Sequence, residues 1–128
     1  MIRCVCLVER KENCLRLVQV RNREKWYFPG GKIEQGESHK AALVRELKEE
    51  LQLELTEDQL EYIGTVEGPA YPQEGQLTEL NGFRSNKPID WSTVQIDAEI
   101  TNMGWVEMSD PVRIAPAVCR WIEKFESE

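Results

Sequence analysis

Apolar residues dominate 2–8 and again 14–20, two runs of strand length. Both carry strand signals, and the polar stretch 9–13 between them predicts a hairpin. Trp26, Tyr27 and Phe28 form a short strand-like run that stops at Pro29. A helical period follows. Leu43, Val44, Leu47 and Leu51 fall at i, i+4 and i+8, the stripe of a helix buried against a sheet. The spacing predicts a helix over about 38–51, with Ser38 as its N-cap and Gly36 letting the chain bend into it. Further strands are predicted at 60–67, 76–84 and 99–107. The intervening segments 68–75 and 85–97 carry Pro69, Pro72 and Pro88 as breakers, and connections this long in a compact domain tend to be binding loops. Ile114, Val118, Trp121, Ile122 and Phe125 stand at helical spacing, with Pro116 in the first turn, which predicts a second amphipathic helix. A mixed sheet with one helix for each face is an α/β (α+β) arrangement, an α/β/α sandwich.

The polar side of the first helix carries the chemistry. At about 100° per residue, Glu46, Glu49 and Glu50 share one face, because positions three and four apart lie one above another. The neighbouring buried stripe puts these carboxylates at the rim of the core, where repulsion between like charges grows as the effective dielectric falls. Arg45 is a single cation against four carboxylates, Glu37 at the helix entrance included, and Lys48 points away toward solvent. Hard divalent cations suit such an all-oxygen set and leave positions for substrate phosphate. Just upstream, Gly30 and Gly31 follow Pro29. Two glycines there permit a tight turn that brings bare carbonyls and amides beside the acidic helix.

Composition narrows the function classes. With 128 residues and 41% hydrophobic content, the chain can bury one good core, so residues 1–128 are expected to be a single domain. The formal net charge is -7, from 23 acidic against 16 basic residues. A chain of that sign is repelled by a nucleic-acid polymer. A nucleotide held through metal is compatible with it, and Arg21, Arg23, Lys25 and Lys32 stand near the presumed phosphate path. Cys4, Cys6, Cys14 and Cys119 lack the spacing of a zinc site and are read as small buried hydrophobes in a reducing compartment. A Cys4–Cys14 approach across the hairpin is geometrically open, though nothing in the sequence calls for a disulfide. His39 is read as a solvent residue of the first helical turn. No apolar run is long enough to span a bilayer and no leader precedes the first strand, so a cytoplasmic protein without membrane contact is expected. A homodimer is left open.

Gly31, Glu37, Arg45, Glu46, Leu47, Glu49, Glu50 and Leu53 together resemble the Nudix box, in which a glycine, a glutamate and an Arg-Glu-aliphatic-x-Glu-Glu run recur at fixed spacing. One position departs: the glycine usual before the last aliphatic residue is Gln52, which affects the helix exit rather than the ligands. The resemblance implies the Nudix fold, an α/β/α sandwich with a mixed β-sheet between helices. It also implies hydrolysis of a nucleoside diphosphate linked to another group, with Mg2+ or Mn2+ as cofactor. Glu46, Glu49 and Glu50 would hold the metal, with the Gly30 carbonyl as a further ligand, and one carboxylate could act as base. Arg45 would orient the glutamates, Glu37 would brace the loop, and Lys32 would touch phosphate. MutT-type members also use a later glutamate, for which Glu99 is the candidate, with Glu79 and Asp97 as fallbacks. The length and the Phe-Pro-Gly-Gly-Lys-Ile-Glu approach look like MutT-type enzymes that convert a (d)NTP to a (d)NMP and pyrophosphate. Alternatives are ADP-ribose, a dinucleoside polyphosphate or an RNA 5' end as substrate, or a nucleotide-binding regulator without turnover. Arg23 is a further candidate for substrate contact, and Tyr71, Phe83 and Trp91 are candidates for stacking on a base, with core packing as their competing role.

Overall fold

The computed structural model describes residues 1–96 and 99–126. In chain order these form β1 (Ile2–Leu7), β2 (Arg10–Lys11), β3 (Cys14–Val20), β4 (Gly30–Lys32), α1 (His39–Leu51), β5 (Leu60–Pro69), β6 (Leu77–Ser85), β7 (Ile100–Glu107) and α2 (Pro116–Trp121). Single 3-10 turns lie at Glu57–Gln59 and Trp91–Thr93, and α2 runs on into a π turn, Ile122–Glu126. One sheet has four strands in the order β4-β1-β6-β5, with β1 and β6 parallel and the other pairs antiparallel. The other is antiparallel, β2-β3-β7.

Alternation along β1 divides the interior in two. Val5 and Leu7 join Val18, Leu43, Leu47, Leu51, Phe83 and Ile100 on the α1 side. Cys6 and Val8 join Leu15, Leu17, Trp26, Phe28, Val118 and Trp121 on the α2 side. Sheet therefore lies between helices, the layering expected from the sequence. The buried stripe of α1 is Ala42, Leu43, Leu47 and Leu51, each fully buried, and each leucine contributes about 1.5–3 kcal/mol by leaving water. Val44 packs at the edge of the same cluster.

Two local features fix the faces. A register shift between Tyr62 and Gly64 flips the parity of β5, so Leu60 faces the α1 side while Val66 faces the α2 side. Just past it Gly64 and Gly82 are register partners. A Cβ on Gly64 would come within 2.2 Å of Phe125, and one on Gly82 within 2.1 Å of Trp121. The glycine pair thus opens a seat for two aromatic rings whose centroids are 4.4 Å apart. The Trp121 indole nitrogen donates to Glu126 at 3.0 Å, and Arg10 of β2 donates to the same carboxyl group at 3.1 Å, tying the C-terminal turn across the sheet.

The ends of α1 form as predicted and in one respect against preference. The Ser38 hydroxyl accepts from the Ala41 amide at 3.1 Å. Gln52 takes the left-handed conformation (φ 52, ψ 32) normally given to glycine, and its N–H meets the Leu47 and Lys48 carbonyls.

Four expectations change. The hairpin expected between 2–8 and 14–20 closes only as the short β2–β3 pair, because β1 pairs with β4 and β6 in the other sheet. The strand expected at 26–28 is reduced to single bridges, Trp26 to Ile114 and Val18 to Tyr27, while the strand itself is Gly30–Lys32. Glycine disfavours strands in general, but here a Cβ on Gly30 would fall 2.0 Å from the Val5 carbonyl, so this close pairing requires it. The second helix is shorter than its periodicity implied, because the Trp121 and Phe125 rings settle into the glycine seat through a π turn. Of the cysteines, Cys6 is buried, whereas Cys4, Cys14 and Cys119 are half-buried; all four are free thiols. Among the described residues no helix is long and apolar enough to cross a membrane.

Candidate active site

The polar side of α1 meets β4 at the double glycine. Gly30 adopts φ +145, open to glycine, and a Cβ on Gly31 would lie 2.4 Å from the Glu46 carboxylate. Both positions are therefore bare of side chain so that backbone and carboxylate can touch. The Gly30 amide lies close enough to Glu50 to favour its charged form.

Arg45 organises the remaining acids. Its Nε and Nη2 grip Glu37 at 2.7 and 2.9 Å in a two-pronged pair, and Nη2 also reaches the Lys32 carbonyl at 3.2 Å. Nη1 donates to Glu46 at 2.9 Å and to Glu49 at 3.4 Å, with Glu34 at 3.5 Å. Glu37 in turn accepts from the Glu34 amide at 2.9 Å, which locks the loop before the helix onto the helix itself. The hydrogen bond from Arg45 holds the Glu37 carboxyl at about 2, and the same bond raises the guanidinium further still.

Glu46 and Glu50 lie deeper and behave differently. Burial lifts the Glu46 carboxyl, opposed by Arg45. Burial, and then the neighbouring Glu46 charge, push Glu50 up to about 8, with the Gly30 amide pulling the other way and Glu99 and Glu49 adding repulsion. The crowding inferred from the sequence is thus relieved in two ways, by Arg45 for Glu37, Glu46 and Glu49, and by proton retention for Glu50. Glu50 has no cation of its own among these contacts.

The set fits a hard divalent cation in its chemistry, being all oxygen, with one half-buried carboxylate that lacks a counter-charge. It is not a ready-made cage. Among the described residues no three acidic, histidine or cysteine side chains converge as ion ligands, because Glu46 and the exposed Glu49 are turned onto Arg45.

Glu50, Gly30 and Gly31 open onto a cleft of about 240 Å³. Its walls are mostly apolar, with Phe28, Leu80, Ala117 and Val118 on the α2 side, and Lys32, Arg23, Tyr27 and Tyr71 also line it. The structure therefore brings the expected Lys32, Arg23 and Tyr71 to one cavity with Glu50. Glu99 stands beside it, exposed and ion-paired to Arg21, close enough for its charge to act on Glu50.

Phe83 and Trp91 do not line the cleft. Phe83 is 3% exposed in the α1-side core, against Tyr62 with centroids 5.5 Å apart. Trp91 packs over the same core, donates its indole N–H to Glu9 and lies under the Arg16 guanidinium at 4.7 Å. Glu79 is occupied with Arg3 and Asn81 on β6, and Asp97 lies outside the described residues. Tyr27, Gln73 and Thr78 line the cleft without having been singled out in the sequence. Tyr27 was legible as the middle of the aromatic run before the double glycine; the other two carry no local signal.

Comparison with known proteins bears on family and fold. The chain is 34% identical over 93 residues to a Mycobacterium tuberculosis protein named as a candidate 8-oxo-dGTP diphosphatase, a match covering 64% of this chain and 61% of that protein. The chain thus spans about three-fifths of the length of that curated relative. The solution structure of the E. coli ORF135 protein superposes with a TM-score of 0.71 at 28% identity, over 98% of this chain and 89% of that one. A Francisella tularensis bifunctional NMN adenylyltransferase/ADP ribose pyrophosphatase, crystallised with AMP and a Mn ion, shares the fold with a TM-score of 0.65 at 17% identity, over 96% of this chain and 41% of that one. The profile of the NUDIX domain matches residues 2–121, nearly the whole of the sheet-and-helix framework that presents the carboxylates, and on that extent the chain belongs to the Nudix family.

Proposed function

We propose that residues 1–128 act as one domain that hydrolyses a nucleoside diphosphate linked to another group, with a (d)NTP giving a (d)NMP and pyrophosphate as the leading case. One juxtaposition carries the reading: a half-buried carboxylate without a counter-charge, Glu50, opens onto a largely apolar cleft with Lys32 and Arg23 on its walls. The cavity lies a little below the range of about 300–1,000 Å³ usual for small-molecule sites. That size suits the nucleoside portion, with the phosphates directed toward Glu50 and the acidic helix. The curated relative, a candidate diphosphatase of an oxidised nucleoside triphosphate, supports this substrate class.

Glu46, Glu49 and Glu50 would hold Mg2+ or Mn2+, with the Gly30 carbonyl and Glu99 as further candidates. When bound, such cations neutralise phosphate oxygens and acidify a coordinated water. The chain's own residues do the rest. Arg45 holds Glu46 and Glu49 on one side of the helix while Glu37 fixes Arg45, so the acids keep their orientation. Lys32 and Arg23 supply positive charge for the phosphates, and the cleft wall excludes water from the nucleoside. Glu50 and Glu99 are the two candidates for accepting a proton from the attacking water.

A nucleotide panel with product identification tests the reading. It includes nucleoside triphosphates, ADP-ribose and dinucleoside polyphosphates. Pyrophosphate and a nucleoside monophosphate are expected from a triphosphate, with activity abolished by EDTA. Activity that survives EDTA, or no turnover of any member with magnesium or manganese, overturns it.

A further inference from the structure

The cleft holds few neutral hydroxyl and amide side chains, and all but two are committed within the protein. The Thr78 hydroxyl donates to the Ile2 carbonyl at 3.1 Å. The Tyr27 hydroxyl donates to the Tyr71 carbonyl at 2.7 Å, with the Arg23 charge near it. The Tyr71 hydroxyl and the Gln73 amide remain, and of the two Gln73 alone offers its donor and acceptor on separate atoms. Among the described residues lining the cleft it is the only side-chain amide. An amide offers a carbonyl acceptor beside an NH2 donor. That is the pairing by which glutamine and asparagine read the edge of a nucleobase.

The segment that carries Gln73 is nearly free-standing. It joins β5 to β6, its backbone closes through the Ala70 amide on the Gln76 carbonyl at 2.9 Å, and residues 72–76 are exposed. On the cleft side it is held by Tyr27, through the hydroxyl contact to Tyr71 and a ring contact with centroids 5.9 Å apart. Tyr27 is firmly rooted, since its backbone exchanges hydrogen bonds with Val18 of β3 at 2.7 and 2.9 Å. The hydroxyl is therefore a strap between a rigid strand and a projecting loop.

We propose that Gln73 is a specificity-determining residue that reads the edge of the base, and that Tyr27 is a positioning residue that keeps Gln73 at the cleft through the Tyr71 carbonyl. The proposal rests on the nucleotide reading given above and goes beyond it by naming the groups that choose the base. Loss of one good base-edge contact changes discrimination by about tenfold or more.

The test measures kcat/KM for four nucleoside triphosphates with magnesium, and Kd for the four nucleoside monophosphates with the metal-free protein. The chains are the wild type, Gln73→Ala, Gln73→Glu and Tyr27→Phe. The ratio between best and worst base is expected to fall about tenfold in Gln73→Ala, in both kcat/KM and Kd. Gln73→Glu, which keeps the acceptor and loses the donor, is expected to reorder the bases. Tyr27→Phe removes one oxygen from a side chain whose ring stays in place, and is expected to flatten the ratio in the same direction as Gln73→Ala. An unchanged ratio in Gln73→Ala, or a wild type without base preference, overturns base reading by Gln73. A flattened Gln73→Ala with an unchanged Tyr27→Phe overturns the strap. Wild-type protein that neither binds nor turns over any nucleotide overturns this proposal together with the hydrolase reading, whereas unequal binding without turnover overturns the hydrolase reading alone.

Discussion

Glu50 and Glu37 sit in one network and are driven in opposite directions. Glu37 shares two hydrogen bonds with Arg45 and stays ionised well into acid, held at about 2. Glu50 has lost water and faces other carboxylates, so the folded protein keeps its proton up to about 8. A carboxyl raised in the folded state favours folding below the ordinary carboxylate range, and that contribution is lost as pH rises toward the folded value. Metal-free wild type should therefore lose stability from this group between the ordinary range and about pH 8. Glu50→Gln imitates the protonated form and should not lose it. Thermal melts in EDTA across pH should show the variant more stable than wild type at the alkaline end, with the gap closing in acid; a gap independent of pH would reject the assignment. The same substitution should lower turnover at least about a hundredfold, since it removes a charged metal-site candidate. Glu37 carries the opposite sign, with its contribution present above the ordinary carboxylate range and lost as pH falls toward about 2.

At the scale of elements, α1 was legible almost to the residue, because its signals are local: Ser38 caps it, its apolar stripe has one period, and its acids share one face. Its exit was legible as an anomaly. Gln52 takes a left-handed conformation where a side chain costs roughly 1 kcal/mol over glycine. Gln52→Gly should raise stability by about 0.5–1 kcal/mol, a few degrees in Tm by calorimetry, and a lower Tm would mean that the Gln52 side chain is doing more than filling the position. What sequence could not supply is non-local. Nothing near Gly82 announces that Trp121, thirty-nine positions later by number, lies on it, and the glycines of β4 read as a turn until β1 is known to run beside them. Phe83 and Trp91 carried the right ring chemistry for stacking on a base, but the parity of β6 and the hydrogen bond to Glu9 turned them elsewhere. Gly82→Ala tests the seat directly. The added methyl would force Trp121 aside, at a cost of about 1–3 kcal/mol in an urea titration, whereas the same change at the open Gly75, with φ +79 and nothing near its Cβ, should cost only its backbone strain.

For the molecule as a whole, the net charge of -7 and the acidic helix pose one question: how such a protein would hold the proposed nucleotide, which is itself strongly negative. Long-range repulsion is not the main obstacle, because at physiological ionic strength charges more than about 8 Å apart are largely screened. The local field is. Phosphates directed from the cleft toward Glu50 would meet Glu46, Glu49 and Glu99, and the cations near that path are Lys32 and Arg23, which line the cleft, and Arg45 and Arg21, already paired with those acids. The nucleoside end has no such difficulty, since most of its cleft is apolar. Without a divalent ion, each added phosphate should therefore weaken binding, so a nucleoside monophosphate should bind the metal-free protein more tightly than the triphosphate of the same base. Magnesium or manganese should reverse that order, because a cation shared by carboxylates and phosphates converts the repulsion into attraction. Calorimetric titration of the two nucleotides with and without EDTA decides it. A triphosphate that binds more tightly in both conditions would mean that Lys32 and Arg23 alone carry the phosphates, and the carboxylates of α1 would need another explanation.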